Sequence, residues 1–202
     1  KENIDLSSKN LGPADLTLVA AWLQRPEVSA VVARLTLDGC EITGTKIKYK
    51  GTPMEEIEQL DADLGGLTSL CSALKTSKIE SLSLQKCYLG PEALALLADA
   101  IKFMAVLTSI NCLANNFGDD GLATLLTAIE GTSVRSLCGL TEGQTVADFS
   151  KQNLKPIDRK IIAAEFGFQG FIAAVARLTL SGNAITNHGK DLTGLQAPVS
   201  YT

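Results

Sequence analysis

The chain has 202 residues, of which 46% are apolar and 20% charged, and its formal net charge is −4. That supply of Leu, Ala, Ile and Val argues for a packed core and against intrinsic disorder. The acidic balance, without a Lys/Arg cluster interleaved with aromatics, argues against a nucleic-acid surface, and no apolar run reaches the length of a helical membrane span.

In chain order, Asp5–Asn10 (DLSSKN) reads as a first turn, and Pro13 opens a helix with Val19 and Leu23 on its inner face. Proline suits that first helical position because its missing N–H would be unpaired there. Val32-Ala-Arg-Leu35-Thr-Leu37-Asp-Gly-Cys40-Glu-Ile42 then alternates as a strand with one buried face. Next comes an atypical segment, about 45–59. Lys46, Lys48 and Lys50 alternate with Ile47 and Tyr49, as in an exposed strand. Thr52-Pro53-Met54-Glu55 has the form of a capping box and predicts a short helix through Glu58 or Leu60.

The frame returns at Ile79-Glu-Ser-Leu82-Ser-Leu84-Gln-Lys-Cys87-Tyr-Leu89, followed by a helix from Pro91 with Leu94, Leu97, Ala98 and Ile101 on one face. Twenty-eight residues after Ile79, Leu107–Phe117 repeats it with Asn115 in the place of Cys87. Asp119 or Asp120 is the expected cap of the next helix, whose stripe is Leu122, Leu125, Leu126 and Ile129 and which Gly131 ends. Val134–Leu137 starts a further strand. Phe149 follows Leu137 by only 12 positions, so a loop of about 139–147 is predicted where a helix belongs. Asp148–Asn153 (DFSKQN) echoes DLSSKN, Pro156 opens a helix with Ile162 and Phe166 inward, and Val175–Ile185 carries the frame again with Asn183.

Several of these elements are copies. Shifted by 143 residues, Asp5–Thr43 lies over Asp148–Thr186 without a gap, 18 of 39 positions being identical, VARLTL at Val32 and Val175 among them. The first copy holds 15 more residues than the second between its Ile-Thr (Ile42, Ile185) and the following Asp-Leu-x-Gly-Leu. One strand and one helix cannot bury their own apolar surfaces, whereas a stack of such units can.

The frame L-x-x-L-x-L-x-x-[N/C]-x-L resembles the leucine-rich repeat, and its 28-residue helical unit resembles the ribonuclease-inhibitor-like class. The resemblance implies a right-handed α/β solenoid, a horseshoe with parallel strands on the concave face and helices on the convex one, as a single domain over 1–202. It also implies that Cys40, Cys87, Asn115 and Asn183 form a structural ladder, each side chain donating to backbone carbonyls inside its turn. Because the chain starts at Lys1 and stops mid-pattern at Thr202, it is expected to be part of a longer protein, with further domains as neighbours.

Five cysteines, at 40, 71, 87, 112 and 138, form no C-x-x-C pair, and the one histidine, His188, has no companion ligand. Reduced thiols in a cytoplasmic or other reducing compartment follow, with no metal, no cofactor and no catalytic residue expected. The concave positions are small and polar: Arg34, Ser81, Ser109, Ser136 and Arg177 form one column. Arg34, Glu80, Arg135 and Arg177 there, and Lys46, Lys48 and Tyr49 in the insertion, are the candidate protein-binding residues. The function expected is a non-enzymatic interaction scaffold. Two alternatives are a regulator resembling the Ran GTPase-activating proteins, which would use Arg34, and a sensing or autoinhibitory arm of a multidomain receptor.

Overall fold

The computed structural model describes residues 1–184. Strand β1 (Glu2–Asp5) leads through helix α1 (Pro13–Leu23) and the short α2 (Pro26–Ser29) to β2 (Val32–Thr36). Strands β3 (Lys46–Lys48) and β4 (Glu56–Gln59) precede α3 (Gly65–Leu74), β5 (Ser81–Ser83), α4 (Pro91–Ile101), β6 (Ser109–Asn111) and α5 (Gly118–Ile129). Then come β7 (Val146–Asp148), α6 (Pro156–Gly167), a 3-10 turn over Phe171–Ala174, and β8 (Arg177–Thr179).

These are repeating β–α units on a parallel sheet with flanking helices. The sheet order is β1-β2-β5-β6, with Ile4 beside Leu35, Leu35 beside Leu82 and Leu82 beside Ile110. The period-two side chains Leu35, Leu37, Leu82, Leu84, Ile110 and Cys112 are buried in one cluster with Leu16, Leu70, Leu94, Leu97 and Leu125 of the helices. Helices α1, α3, α4 and α5 pack in sequence, each on the next. Pro13, Pro91 and Pro156 all stand at helix starts, as predicted.

Where each strand ends, one side chain reaches the preceding coil. Cys40 Sγ donates to Leu6 O at 3.4 Å, Cys87 Sγ to Leu37 O at 3.2 Å, Asn115 Nδ2 to Leu84 O at 2.9 Å and Asn183 Nδ2 to Phe149 O at 2.7 Å. The two asparagines also accept. Asn115 Oδ1 takes the N–H groups of Cys87 and Leu89, and Asn183 Oδ1 those of Gln152 and Leu154.

Three expectations are corrected. The helix predicted after Thr52 is absent, and β4 pairs antiparallel with β3 instead, Ile47 opposite Ile57. A helix of one or two turns carries the nucleation cost without enough propagation to offset it, whereas the hairpin half-buries both isoleucines. Neither Asp119 nor Asp120 caps α5. Phe117 holds that position and both aspartates lie in the first turn, where the helix dipole favours them. Phe166 is 46% exposed rather than inward, because α6 buries a different stripe: Asp158, Ile161, Ile162 and Glu165.

The stripe turns inward because of how the sheet ends. Ser136 still bridges Ser109 in parallel, but Cys138 meets Asn111 in the antiparallel sense, and β7 and β8 form a separate two-stranded sheet. Gly139 makes the turn at φ +78, with a Cβ there only 3.0 Å from the Asn111 side chain. The segment that follows carries no helix before β7. The open edge would otherwise present unpaired backbone groups. Helix α6 and its 3-10 turn satisfy them one by one. Ile110 N–H donates to Ser136 O at 2.8 Å, and Leu137 N–H, one strand further on, donates to Glu165 Oε2 at 2.9 Å. Lys86 N–H donates to Leu113 O, and Ala114 N–H, its counterpart, donates to Asp158 Oδ1 at 2.7 Å. Thr108 O accepts from Arg135 N–H, and Arg135 O accepts from Phe171 N–H at 2.7 Å. A helix with two carboxylates thus stands in for the missing strand.

Two measurements check this account. Asn115→Ala is expected to lower the unfolding free energy in urea by about 2–4 kcal/mol, since it strands two buried N–H groups and a carbonyl. A loss under about 1 kcal/mol would deny the ladder that weight. Burial raises the pKa of Asp158 and Glu165 above their ordinary 3.8 and 4.5. The folded state therefore holds these protons more tightly than the unfolded one, so the contribution to stability is largest below the ordinary values and declines as pH rises through the raised ones. The exposed Asp5 and Asp148 are shifted downward by their Ser7 and Ser150 hydrogen bonds and act only below 3.8. Between the ordinary Glu value and neutrality, Glu165→Gln is expected to flatten the fall of stability with pH. An unchanged slope would remove Glu165 from the edge.

Candidate protein-binding surfaces

The 45–59 segment is a hairpin whose stem is sewn to the start of α4. Thr45 Oγ1 donates to Tyr88 O at 3.1 Å and accepts from Asp61 N–H at 3.1 Å. The buried Asp61 carboxylate in turn accepts Gly90 N–H at 2.8 Å and Ala93 N–H at 2.9 Å, giving α4 an acidic cap from outside its own coil. Only glycine fits at 90, because a Cβ there would lie 2.5 Å from Asp61 Oδ2.

The tip is held by short-range polar contacts. Thr52 donates to Tyr49 O through its N–H at 3.1 Å and its Oγ1 at 2.6 Å, and Oγ1 accepts Met54 N–H at 3.2 Å. Glu55 Oε2 accepts Gly51 N–H at 2.9 Å, while Glu55 Oε1 accepts the Tyr88 hydroxyl at 3.2 Å. Burial, and then the Glu55 charge, pushes the Tyr88 phenol upward. Tyr49 sits at φ +50, a costly conformation for an aromatic residue that such a frame must enforce. Tyr49 is 62% and Met54 74% exposed. Lys46 and Lys48 line the stem, Lys48 pairing with Glu58 at 2.7 Å, and Lys50 pairs with Glu41.

The sheet face opposite the helices holds the other candidates. Arg34 is exposed, and Glu80, half-buried, pairs with Lys1. Both line a cleft of about 250 Å³ together with Ser81, Ser109, Glu142 and Phe171. Arg135 and Arg177 are not brought to it. Arg135 Nη1 is bound to Thr132 O and Val134 O at 2.9 and 2.7 Å, and Arg177 belongs to β8 in the separate sheet. Sequence reasoning missed Met54, Asp61, Glu142 and Phe171. The capping-box pattern places Met54 in a helix, and the repeat register gives no sign that Glu142, in the loop after Gly139, comes to line a cleft with the sheet.

All five cysteines are free and buried. Burial pushes the Cys71 thiol up to about 12, and those of Cys87, Cys112 and Cys138 are also raised by burial. Among the described residues no group of three or more His, Cys, Asp or Glu could hold a metal ion, and no helix is long and apolar enough to cross a membrane. His188 lies outside the described residues.

The chain is similar to proteins of the leucine-rich-repeat type. It is 29% identical over 154 residues to the human "NACHT, LRR and PYD domains-containing protein 14", covering 69% of this chain and 14% of that protein. It is 26% identical over 136 residues to the mouse "Ribonuclease inhibitor", covering 60% of this chain and 28% of the inhibitor. The chain thus spans less than a third of either relative's length. No protein-family model matches it.

Since thiolate is the reactive form, Ellman's reagent at pH 8 is expected to leave the folded protein unlabelled over minutes and to titrate five thiols after unfolding in urea. Rapid labelling of a folded thiol would reveal a coil that opens.

Proposed function

We propose that this chain is a non-catalytic protein-binding module of the leucine-rich-repeat type, built as a horseshoe of ribonuclease-inhibitor-like units, and that the β3–β4 hairpin is its principal contact. The 28-residue helical unit and the similarity to the mouse inhibitor support the class. The observation that carries the contact site is the exposed pair Tyr49 and Met54 on a tip fixed by its own hydrogen bonds. Tyrosine and methionine are enriched at interfaces, and a preorganised loop loses little entropy on binding. Lys46 on the hairpin stem favours a partner with acidic residues at the rim, Lys48 being paired with Glu58.

A second reading, an arm beside other domains of a receptor, draws support from the human relative, whose name joins a repeat region to NACHT and PYD domains. A GTPase-activating role would fall to Arg34, and nothing around that residue favours it. Five buried free thiols fit a reducing compartment such as the cytoplasm.

The test is affinity capture from source lysate with wild type, Tyr49→Ala, Met54→Ala and Arg34→Gln. The two hairpin variants are expected to weaken capture of the main partner by about tenfold or more, with melting temperature unchanged because both side chains are exposed. Undiminished capture by both would exclude the hairpin.

A further inference from the structure

Across the face opposite the helices, Asn3, Arg34, Ser81 and Ser109 stand side by side on β1, β2, β5 and β6, and Ser136 continues the row by its bridge to Ser109. At the usual strand spacing, Arg34 and Ser109 are about 10 Å apart with Ser81 between them. Asn3, Arg34, Ser81 and Ser109 of this row line the 250 Å³ cleft, together with Phe171 and Glu142.

The polar groups of this row are unevenly used. Ser136 Oγ donates to the Glu165 carboxylate at 3.2 Å, so the protein itself seats a carboxylate at one end of the row. Ser109 is 2% exposed, yet its Oγ has no partner. Leaving a buried hydroxyl unpaired is destabilising, and such groups in a folded protein call for an explanation. Among the described residues the Arg34 guanidinium makes no ion pair or hydrogen bond, while neighbouring Glu80 is engaged by Lys1. A free cation and a free hydroxyl thus flank a small residue, Ser81, that leaves room above the floor.

We propose that this cleft binds an extended peptide through one acidic side chain. Its carboxylate lies over Ser81, accepts from the Arg34 guanidinium and from the Ser81 and Ser109 hydroxyls, and repeats one strand earlier what Glu165 does at Ser136. A bidentate arginine bond gives such a contact direction as well as strength. Glu142, which also lines the cleft, disfavours a free small anion and is matched by peptide N–H donors. Phe171, half-buried, offers its ring to the peptide's apolar atoms. This surface is separate from the hairpin, and the two can fail independently.

The experiment is an NMR titration of the intact chain with acetyl-Ala-Glu-Ala-amide, its Gln analogue and glutarate. Expected are saturable shifts at the Ser81 and Ser109 amides and the Arg34 Nε–H, with the Gln peptide about tenfold weaker for want of the charge-assisted bonds. Arg34→Gln, an exposed change, should abolish the response. Ser109→Ala should weaken binding while leaving the melting temperature equal or higher, because it removes an unpaired buried hydroxyl. Absence of saturation, equal binding of the Gln peptide, glutarate binding as tightly as the peptide, or a lowered melting temperature for Ser109→Ala would each overturn the proposal.

Discussion

The constraint on which this molecule rests is that every coil leaves polar backbone groups facing its neighbour inside an apolar stack, where water cannot reach them. Leu6, Leu37, Leu84 and Phe149 each present a carbonyl at the same stage of the repeat, and Cys40, Cys87, Asn115 and Asn183 each supply the donor. The thiol and the amide are not equivalent solutions. Cysteine is a weak donor that packs as a small hydrophobe. Asparagine adds an acceptor, and Asn115 uses it for two N–H groups of the coil before it. The first two rungs therefore lean on burial and the later ones on hydrogen bonding.

The same constraint explains the end of the stack. A helix normally separates two strands, but too few residues follow Leu137 for one, so the next strand cannot be delivered to the edge. The edge amides of Ala114 and Leu137 remain, and Asp158 and Glu165 reach them from α6. Two carboxylates buried at a sheet edge are costly to desolvate, and this appears in their raised pKa values. The cost is borne because unpaired edge groups would be worse. Asp158 also accepts the Lys155 N–H at the start of its own helix, so one side chain serves both cap and edge.

Much of this was legible in the sequence and some could not be. The strand frame, the helix starts at Pro13, Pro91 and Pro156, and the buried faces of α4 and α5 follow from local periodicity, which the stack reinforces. The hairpin tip misled because Thr52–Glu55 carries the residues of a capping box. Both side chains do accept backbone N–H groups, Thr52 from Met54 and Glu55 from Gly51, each one residue away from the amide a capping box would use. The pairing of Ile47 with Ile57 decides the outcome and is invisible to a four-residue motif. Phe166 misled for a related reason. The first copy buries Leu23 at that place, but α6 is turned to bring its acids to the edge, so an alignment of copies carries over the helix without its orientation.

The break in the repeat also makes the cleft. In an unbroken stack the chain would leave Leu137 toward the helical side, and the sheet face would stay open along its length. Here the chain turns at Gly139 against Asn111 instead, and Glu142 and Phe171 come to line one cleft with Arg34 and Ser109. Gln152 of the second copy also reaches Gln85 of the first sheet at 2.8 Å, so the later coil is fastened against the earlier face. A flat polar surface of serines discriminates poorly between partners. A second wall converts part of it into a site with depth and a free guanidinium in its floor. The hairpin and the cleft thus have one kind of origin: each lies where the spacing between strands departs from the repeat, by 15 residues too many after Ile42 and a helix too few after Leu137.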